Sequence, residues 1–362
     1  MDHSARQLHL RSALNQNRLD ALLVTHLPNV FYLCGFTGSA AALLLTEEAA
    51  ILFTDGRYTA QARAEVAGAK IKIVDKSPLV AAGEWLASHA AKRSSTRLGI
   101  EADHLTFAGY RRFAKLAGSA FRLRPAPPLV AQARMLKDKD EIHRMRAAAT
   151  LGASLFDTAL ATIRPGVKET AVAAEMEYAA RKAGADGMSF STIIASGKRS
   201  ALPHGQASDA RIPANGFVVC DFGVILSRYC SDRTRTVFVG RPTTQARRLY
   251  EAVREAQQAA LDAVRPGRSV AEVDRAARKL LKKQGLAKYF THSAGHGVGL
   301  EIHEAPRIAT GQTDILRPGM VITVEPGAYI PGQWGVRIED MVVVTEQGCE
   351  VLAPSSKELI AI

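Results

Sequence analysis

Asp221 and Asp232 lie in FVVCDFGVILSRYCSDRTRTVF (217–238), a stretch that is apolar and β-prone on both sides of Leu226 and Ser227. With those two residues as the turn of a hairpin, the aspartates are equidistant from it. They then face each other on one side, with Cβ atoms about 5 Å apart. Two bare carboxylates so close repel, so one takes up a proton or a cation sits between them. A solvated pair on an edge strand is the plain alternative for the hairpin by itself.

Three further stretches supply partners. HSAGHGVGLEIHE (292–304) carries His292, His296 and His303 among glycines that let the backbone turn tightly. ITVEPGAYI (322–330) carries Glu325 at the end of an apolar β-run, and GVRIEDMVVV (335–344) carries Glu339 just before another. Asp221, Asp232, His296, Glu325 and Glu339 offer carboxylate oxygens, one imidazole and no thiolate. That donor set suits borderline-hard divalent ions such as Mn, Co, Fe or Zn. Four carboxylates carry the charge of two such ions, which reads as a bridged pair about 3.5–4 Å apart. A water shared by two ions has its pKa drawn towards neutrality and supplies hydroxide as a nucleophile.

These segments resemble the metallopeptidases of the methionine aminopeptidase, aminopeptidase P and prolidase group, whose catalytic fold is the pita bread. An Asp followed eleven positions later by the Asp of SD-x-TRT, then HGVGLEIHE, VEPG and RIED, match that family's five ligands residue by residue. The resemblance implies that Asp221, Asp232, His296, Glu325 and Glu339 hold two divalent ions, manganese first, with cobalt or zinc as alternatives. It implies that Glu325 also serves as general base. His204, in LPHG, and His303, in IHE, match residues that meet the substrate carbonyl and the tetrahedral intermediate, and His292 matches one that moves a proton. Arg337 shares a strand face with Glu339, and the resemblance implies that it takes part in the charge network of the site. Thr234 shares a face with Asp232, which suits a hydrogen bond to a ligand.

The implied activity is hydrolysis of the bond between an N-terminal residue and a following proline. FTGSA and TDGRY tip the reading to an Xaa-Pro aminopeptidase. The alternative is an Xaa-Pro dipeptidase (prolidase), which must bind a free carboxylate beside the scissile bond. A non-catalytic binding module of the same fold is the reading from another class; such proteins are expected to lose ligands, and this chain has all five. Relatives usually carry an aromatic and a Gly in the hairpin turn where Leu226 and Arg228 stand. A turn with positive φ accommodates Arg poorly, so a different turn type is expected.

The elements that position these residues fall into two domains, as 362 residues with 47% apolar content suggest. The resemblance divides the α/β (α+β) chain into a creatinase-like N-terminal α/β domain, 1–128, and a pseudo-twofold pita-bread catalytic domain, 129–362. In the first, helices over about 4–17, 59–67, 80–93 and 105–116 alternate with strand-like segments, FYLCGFTGSAAALLLT among them, to give a mixed sheet. The resemblance also implies that a loop around Asn29 approaches the active site. A Pro cluster marks the boundary, and the Lys/Asp/Glu-rich run after it starts a long helix reaching about Ile163. In the second domain RPGVKETAVAAEMEYAARKAG (164–184) aligns without gaps to RPGRSVAEVDRAARKLLKKQG (265–285), a constant offset of 101. Such a repeat delivers an Asp pair from one half and a Glu pair from the other to a central site.

Net charge +12 is spread along helices without interleaved aromatics, a solvated basic surface and no nucleic-acid partner. The same charge favours acidic or free-carboxylate substrates. No apolar run is long enough to span a membrane, and the N-terminus lacks the apolar core of a signal peptide. Cys34, Cys220, Cys230 and Cys349 have no CxxC spacing and read as free thiols of a reducing compartment, the cytoplasm. By resemblance, the partners are proline-containing peptides as substrate and a second copy in a homodimer.

Overall fold

The structure is a computed structural model and describes residues 1–89 and 96–362. Two compact units result, Met1–Arg134 and Met135–Ile362. In the first, β1 (Ala21–Val24), β2 (Ala41–Thr46), β3 (Ala50–Asp55), β4 (Lys70–Val74), β5 (Thr96–Ile100) and β6 (Phe121–Pro125) form one sheet in the order β4-β3-β2-β1-β5-β6. The pairs β1–β2 and β2–β3 are antiparallel and the other three parallel, so the sheet is mixed, as expected. Central β1 is buried along its whole length, and Leu23, Leu44, Phe53 and Leu98 join Phe113 in one core.

Helices His3–Gln16, Thr59–Glu65, Pro78–His89 and Phe107–Ala117 lie where the sequence predicts them, although residues 90–93 of the third are outside the described residues. FYLC differs from expectation. It belongs to a helix, Leu27–Cys34, that Pro28 starts and Gly35, at φ 80°, ends. A short apolar run does not by itself distinguish a buried helix from a strand, and here the flanking Pro and Gly decide. Asn29 is consequently not on a loop. It is buried in that helix, donating to Glu101 Oε1 at 2.6 Å and accepting from Arg134 Nη1 at 2.6 Å.

The second unit opens with the long helix, Lys139–Thr162, started by a reciprocal cap between Asp138 and Glu141. Its strands are β7 (Gly187–Met188), β8 (Ile193–Ser196), β9 (Gly216–Phe222), β10 (Val224–Leu226), β11 (Tyr229–Cys230), β12 (Arg233–Val239), β13 (Gly295–Gly297), β14 (Glu304–Ile308), β15 (Val321–Val324), β16 (Gly327–Tyr329), β17 (Gly335–Arg337), β18 (Asp340–Val344) and β19 (Cys349–Val351). The repeat is visible in three dimensions. Helix Glu169–Lys182 has its counterpart in Val270–Lys283, and the meander β8-β9-β12 has its counterpart in β13-β15-β18. Gly166 donates to Ile212 O and Gly267 to Leu316 O, both at 2.8 Å and both with positive φ.

Strand alternation then places the acids. Val218, Cys220 and Phe222 of β9 and Val237 and Val239 of β12 pack under helices of the first half. Ile322 and Val324 of β15 and Val342 and Val344 of β18 do so under those of the second. With a period of two, Asp221, Thr234, Glu325 and Glu339 fall on the opposite, inner faces.

The central hairpin corrects one expectation. Its turn is Ser227–Arg228, one residue later than predicted, so Leu226 pairs with Tyr229 and Asp221 with Thr234 rather than with Asp232. A two-residue shift of register preserves the face, and both aspartates still point inward. Ser227 (φ 49°) and Arg228 (φ 75°) both adopt the positive φ of a primed two-residue turn. The turn is therefore of the tight type despite its Arg, which is exposed and donates its backbone N–H to Asp186 Oδ2 at 3.1 Å. Further in, a Cβ on Gly223 would stand 1.9 Å from Ser231 O, so only glycine lets the two arms approach there.

A left-handed conformation costs a non-glycine residue about 1–2 kcal/mol, more than the entropy that glycine adds to the unfolded chain. Arg228→Gly is therefore expected to raise the thermal midpoint by roughly 1–3 °C. A lower midpoint would show that Arg228 holds the turn by its side chain.

Candidate metal centre

Each half delivers its carboxylates at strand ends. Asp221 lies near the end of β9, Asp232 precedes β12, Glu325 follows β15 and Glu339 precedes β18, while His296 is central in β13. One ligand atom each from Asp232, His296 and Glu339 lie within 4.8 Å of one another. His296 donates from Nδ1 to Gly297 O at 2.9 Å, which turns Nε2 to the acids, 3.5 Å from Asp232 Oδ2 and 3.6 Å from Glu325 Oε1. Asp221 Oδ2 accepts from Arg337 Nη2. Glu339 Oε2 accepts from Thr234 Oγ1 at 2.7 Å, and the same hydroxyl accepts from Arg337 Nε at 3.1 Å.

Asp221 Oδ1, Asp232 Oδ1 and Glu339 Oε1 are buried and have no hydrogen-bond partner among the described residues. A buried carboxylate oxygen without a donor is costly unless a cation meets it. The oxygen-rich donor set with one imidazole suits a divalent metal ion, so these residues fit that group.

The histidines are set around this cluster. His303 stacks edge-on against His296, with ring centroids 4.5 Å apart. His204 is exposed on a turn whose Pro203 O accepts from Arg337 Nη1 at 2.8 Å. It is close enough for its charge to bear on both His292 and His303. His292 donates from Nδ1 to Ser293 O at 2.8 Å, so its Nε2 accepts from Tyr329 Oη at 2.9 Å. Tyr329 Oη in turn accepts from Arg337 Nη1 at 2.6 Å. Asp221, Arg337, Tyr329 and His292 thus form one hydrogen-bonded line.

Sequence reasoning missed two residues beside the cluster, Tyr329 and Arg307. Tyr329 reads as an ordinary β-prone residue, and its even spacing from Glu325 was the available signal. Arg307 stands directly opposite His296 in the β13–β14 ladder and is exposed. Residues paired in this way share a face. Finding it from sequence required the register of β14.

The profile of metallopeptidase family M24 matches residues 143–346, and that of the creatinase/prolidase N-terminal domain matches residues 6–136. The chain belongs to metallopeptidase family M24. It is 38% identical to the Xaa-Pro dipeptidase of Pyrococcus furiosus over 349 residues, 96% of this chain and 97% of that protein. It superposes on the structure of an Xaa-Pro dipeptidase from Bacillus anthracis with TM-score 0.94 and 38% identity, covering 100% of both chains. Against an X-Pro aminopeptidase from Thermotoga maritima MSB8 the TM-score is 0.89 at 34% identity, over 99% and 100% of the two chains. The creatinase-like domain followed by the pita-bread domain is thus the architecture of this enzyme, an M24 metallopeptidase.

Electrostatics describe what the M24 site demands. Burial pushes the Asp232 carboxyl up to about 6 and Glu325 up to about 7, with the neighbouring carboxylates adding to the rise and His296 and Arg337 pulling against it, while burial and then the nearby acids raise Glu339. Burial alone would lower His296, but the bond to Asp232 and the charge of Glu325 overcome it and raise the imidazole to about 9. His292 faces the opposite balance: burial and the charge of Arg337 bring it down to about 4, which keeps it neutral.

Without metal, protons must balance the carboxylates. Groups with raised folded-state pKa values stabilise the fold below their unfolded values and lose that contribution as pH rises through the folded ones. The lowered pKa of His292 works the other way between about pH 4 and pH 6.5, but the carboxyls and His296 outnumber it, so protein stripped of metal should lose stability between about pH 4 and pH 9. Each group contributes about 1.4 kcal/mol for every pH unit by which its folded-state pKa exceeds its unfolded one. Urea midpoints at pH 5 and pH 8 measure it, and equal midpoints would contradict the raised values. Metal uptake at pH 6 should release more than one proton, read from calorimetry in two buffers of different ionisation enthalpy.

Proposed function

We propose that this M24 enzyme is an Xaa-Pro dipeptidase, cleaving the bond between an N-terminal residue and a C-terminal proline. Of the two specificities open in the sequence, this was the alternative. The observation that carries it is Arg307. Arg307 is exposed and stands across the ladder from His296, on the face where the carbonyl would be bound, so in this reading its guanidinium meets the group one residue beyond the scissile bond. In a dipeptide that group is a free carboxylate, which Arg meets bidentately. The similarity to the Pyrococcus furiosus and Bacillus anthracis dipeptidases supports the same reading.

We assign residues 129–362 to catalysis and 1–128 to the creatinase-like domain. Two divalent ions, manganese first, held by Asp221, Asp232, His296, Glu325 and Glu339, would lower the pKa of a water and polarise the carbonyl. Glu325 acts as the general base and returns its proton to the proline nitrogen as the bond breaks. His303 and His204 donate to the carbonyl oxygen as it gains negative charge. Arg337 donates to Asp221 and holds it in place, and Tyr329 holds neutral His292 ready to accept a proton. The working form in this reading is a cytoplasmic homodimer, and the four cysteines, all free thiols, suit a reducing compartment.

Protein stripped by chelator and resupplied with Mn should release Ala from Ala-Pro far faster than from Ala-Pro-Ala. Arg307→Ala should raise KM for Ala-Pro about 10-fold or more with metal content unchanged. Equal efficiency on both peptides, insensitive to Arg307, would return the specificity to an aminopeptidase. Separately, His296→Ala should lose metal and activity together, whereas His204→Ala should lose turnover and keep metal. Turnover like that of wild type in the second variant would remove His204 from the mechanism.

A further inference from the structure

Behind the ligands, on the outer face of β18 and β12, lies a buried cluster that the chemistry above does not use. Asp340, 1% exposed, is its centre. Its Oδ1 accepts from Arg235 Nη2 at 2.7 Å and Arg233 Nη2 at 3.5 Å, and its Oδ2 from Lys357 Nζ at 2.8 Å and Gln257 Nε2 at 3.0 Å. Arg235 also donates from Nη1 to two backbone carbonyls, Glu339 O at 2.7 Å and Thr234 O at 3.0 Å. Those are the two residues joined side chain to side chain on the inner face. One guanidinium therefore holds from behind the backbone of the pair that aims the Glu339 carboxylate.

The cluster is completed by a segment remote in sequence. Ser355 Oγ accepts from Arg235 Nη2 at 2.8 Å, and Lys357 Nζ also donates to Gln257 Oε1 at 2.8 Å. The segment is docked along β12: Phe238 donates to Ile360 O at 2.9 Å and Gly240 to Ile362 O at 2.7 Å. Glu358, next to Lys357, instead pairs with Arg254 at 2.8 Å on the exposed side.

We infer that Lys357 is a positioning residue of the metal centre: through Asp340 and Arg235 it fixes the direction of Glu339, so divalent-metal affinity depends on the docked segment 355–362. This rests on Glu339 as a metal ligand. Electrostatics alone would give the opposite sign. Three cations converge on one carboxylate here, and deleting one of them behind an acidic site should tighten the binding of a divalent cation. Positioning predicts weaker binding, so the direction of the change separates the two.

The test is calorimetric titration of chelator-stripped full-length protein with Mn. Lys357→Met should raise Kd about 10-fold, the usual effect of losing a group that orients a ligand. Lys357→Arg should restore most of the affinity, and Glu358→Gln, on the same segment, should leave Kd unchanged. Ser355→Ala removes only the contact to Arg235 and should weaken binding in the same direction by less; it carries the test if Lys357→Met does not fold. A Kd unchanged or lowered in Lys357→Met, or an equal loss in Glu358→Gln, overturns the inference. Wild-type protein that binds no Mn would instead overturn the metal assignment itself.

Discussion

Everything in the second unit answers to the repulsion among carboxylates gathered in one buried place. Asp221, Asp232 and Glu339 are each less than a tenth exposed, and the side chain of Glu325 is only 17% exposed. Anions so placed persist only if positive charge comes to them. The chain supplies part of it. Arg337 neutralises Asp221 and His296 faces Asp232 and Glu325, while behind Glu339 the three cations Arg233, Arg235 and Lys357 gather on the single carboxylate of Asp340. Buried oxygens remain that none of the described residues meets, and the raised carboxyl pKa values measure the same shortfall. A divalent ion bound here would thus be part of the charge balance of the fold.

Duplication is how the chain brings these groups together without wrecking its cores. A strand that must carry a carboxylate inward still has an apolar face, and each half covers that face with its own pair of helices. The acids sit at or beyond strand ends, where the alternation continues but the ladder is no longer needed for sheet stability. Gly223 shows the accompanying constraint, since the arms carrying Asp221 and Asp232 approach so closely that no side chain fits between them. His296 lies where the register of β13 and β14 shifts, a local irregularity of the kind that re-aims a side chain.

What was legible in the sequence had short-range or periodic signatures. The repeat at offset 101, the helix after the Pro cluster and the inward parity of the acids all follow from spacing. The hairpin turn was misplaced by one residue because Leu226, Ser227 and Arg228 offer no Asn-Gly or Gly to mark it. Both halves of the resulting register error lay on one face, so the conclusion about the aspartates survived. FYLC was misread because four apolar residues satisfy either period. Tyr329, Arg307 and Asp340 were missed for a different reason. Their partners across the fold, Arg235 to Asp340 or Tyr329 to His292, are set by strand order and pairing, which the sequence does not display.

The placement of Arg307 separates two kinds of constraint on this enzyme. The candidate ligands are held from both sides: Glu339 by Thr234 within the site and by Arg235 from behind, and Asp221 by Arg337, itself bonded to Thr234, Tyr329 and Pro203. A change at any of these propagates to the others. Arg307 is exposed on β14, the edge strand of its sheet, and lies across the ladder from a ligand without being bonded into the network. In the dipeptidase reading, substitution there would alter what is recognised beyond the scissile bond while leaving the centre intact. If Arg307 reads the far side of the scissile bond as proposed, a fold of this kind can change the length of peptide it accepts at its edge and keep one hydrolytic chemistry at its middle, and ligand motifs alone would not decide between a dipeptidase and an aminopeptidase.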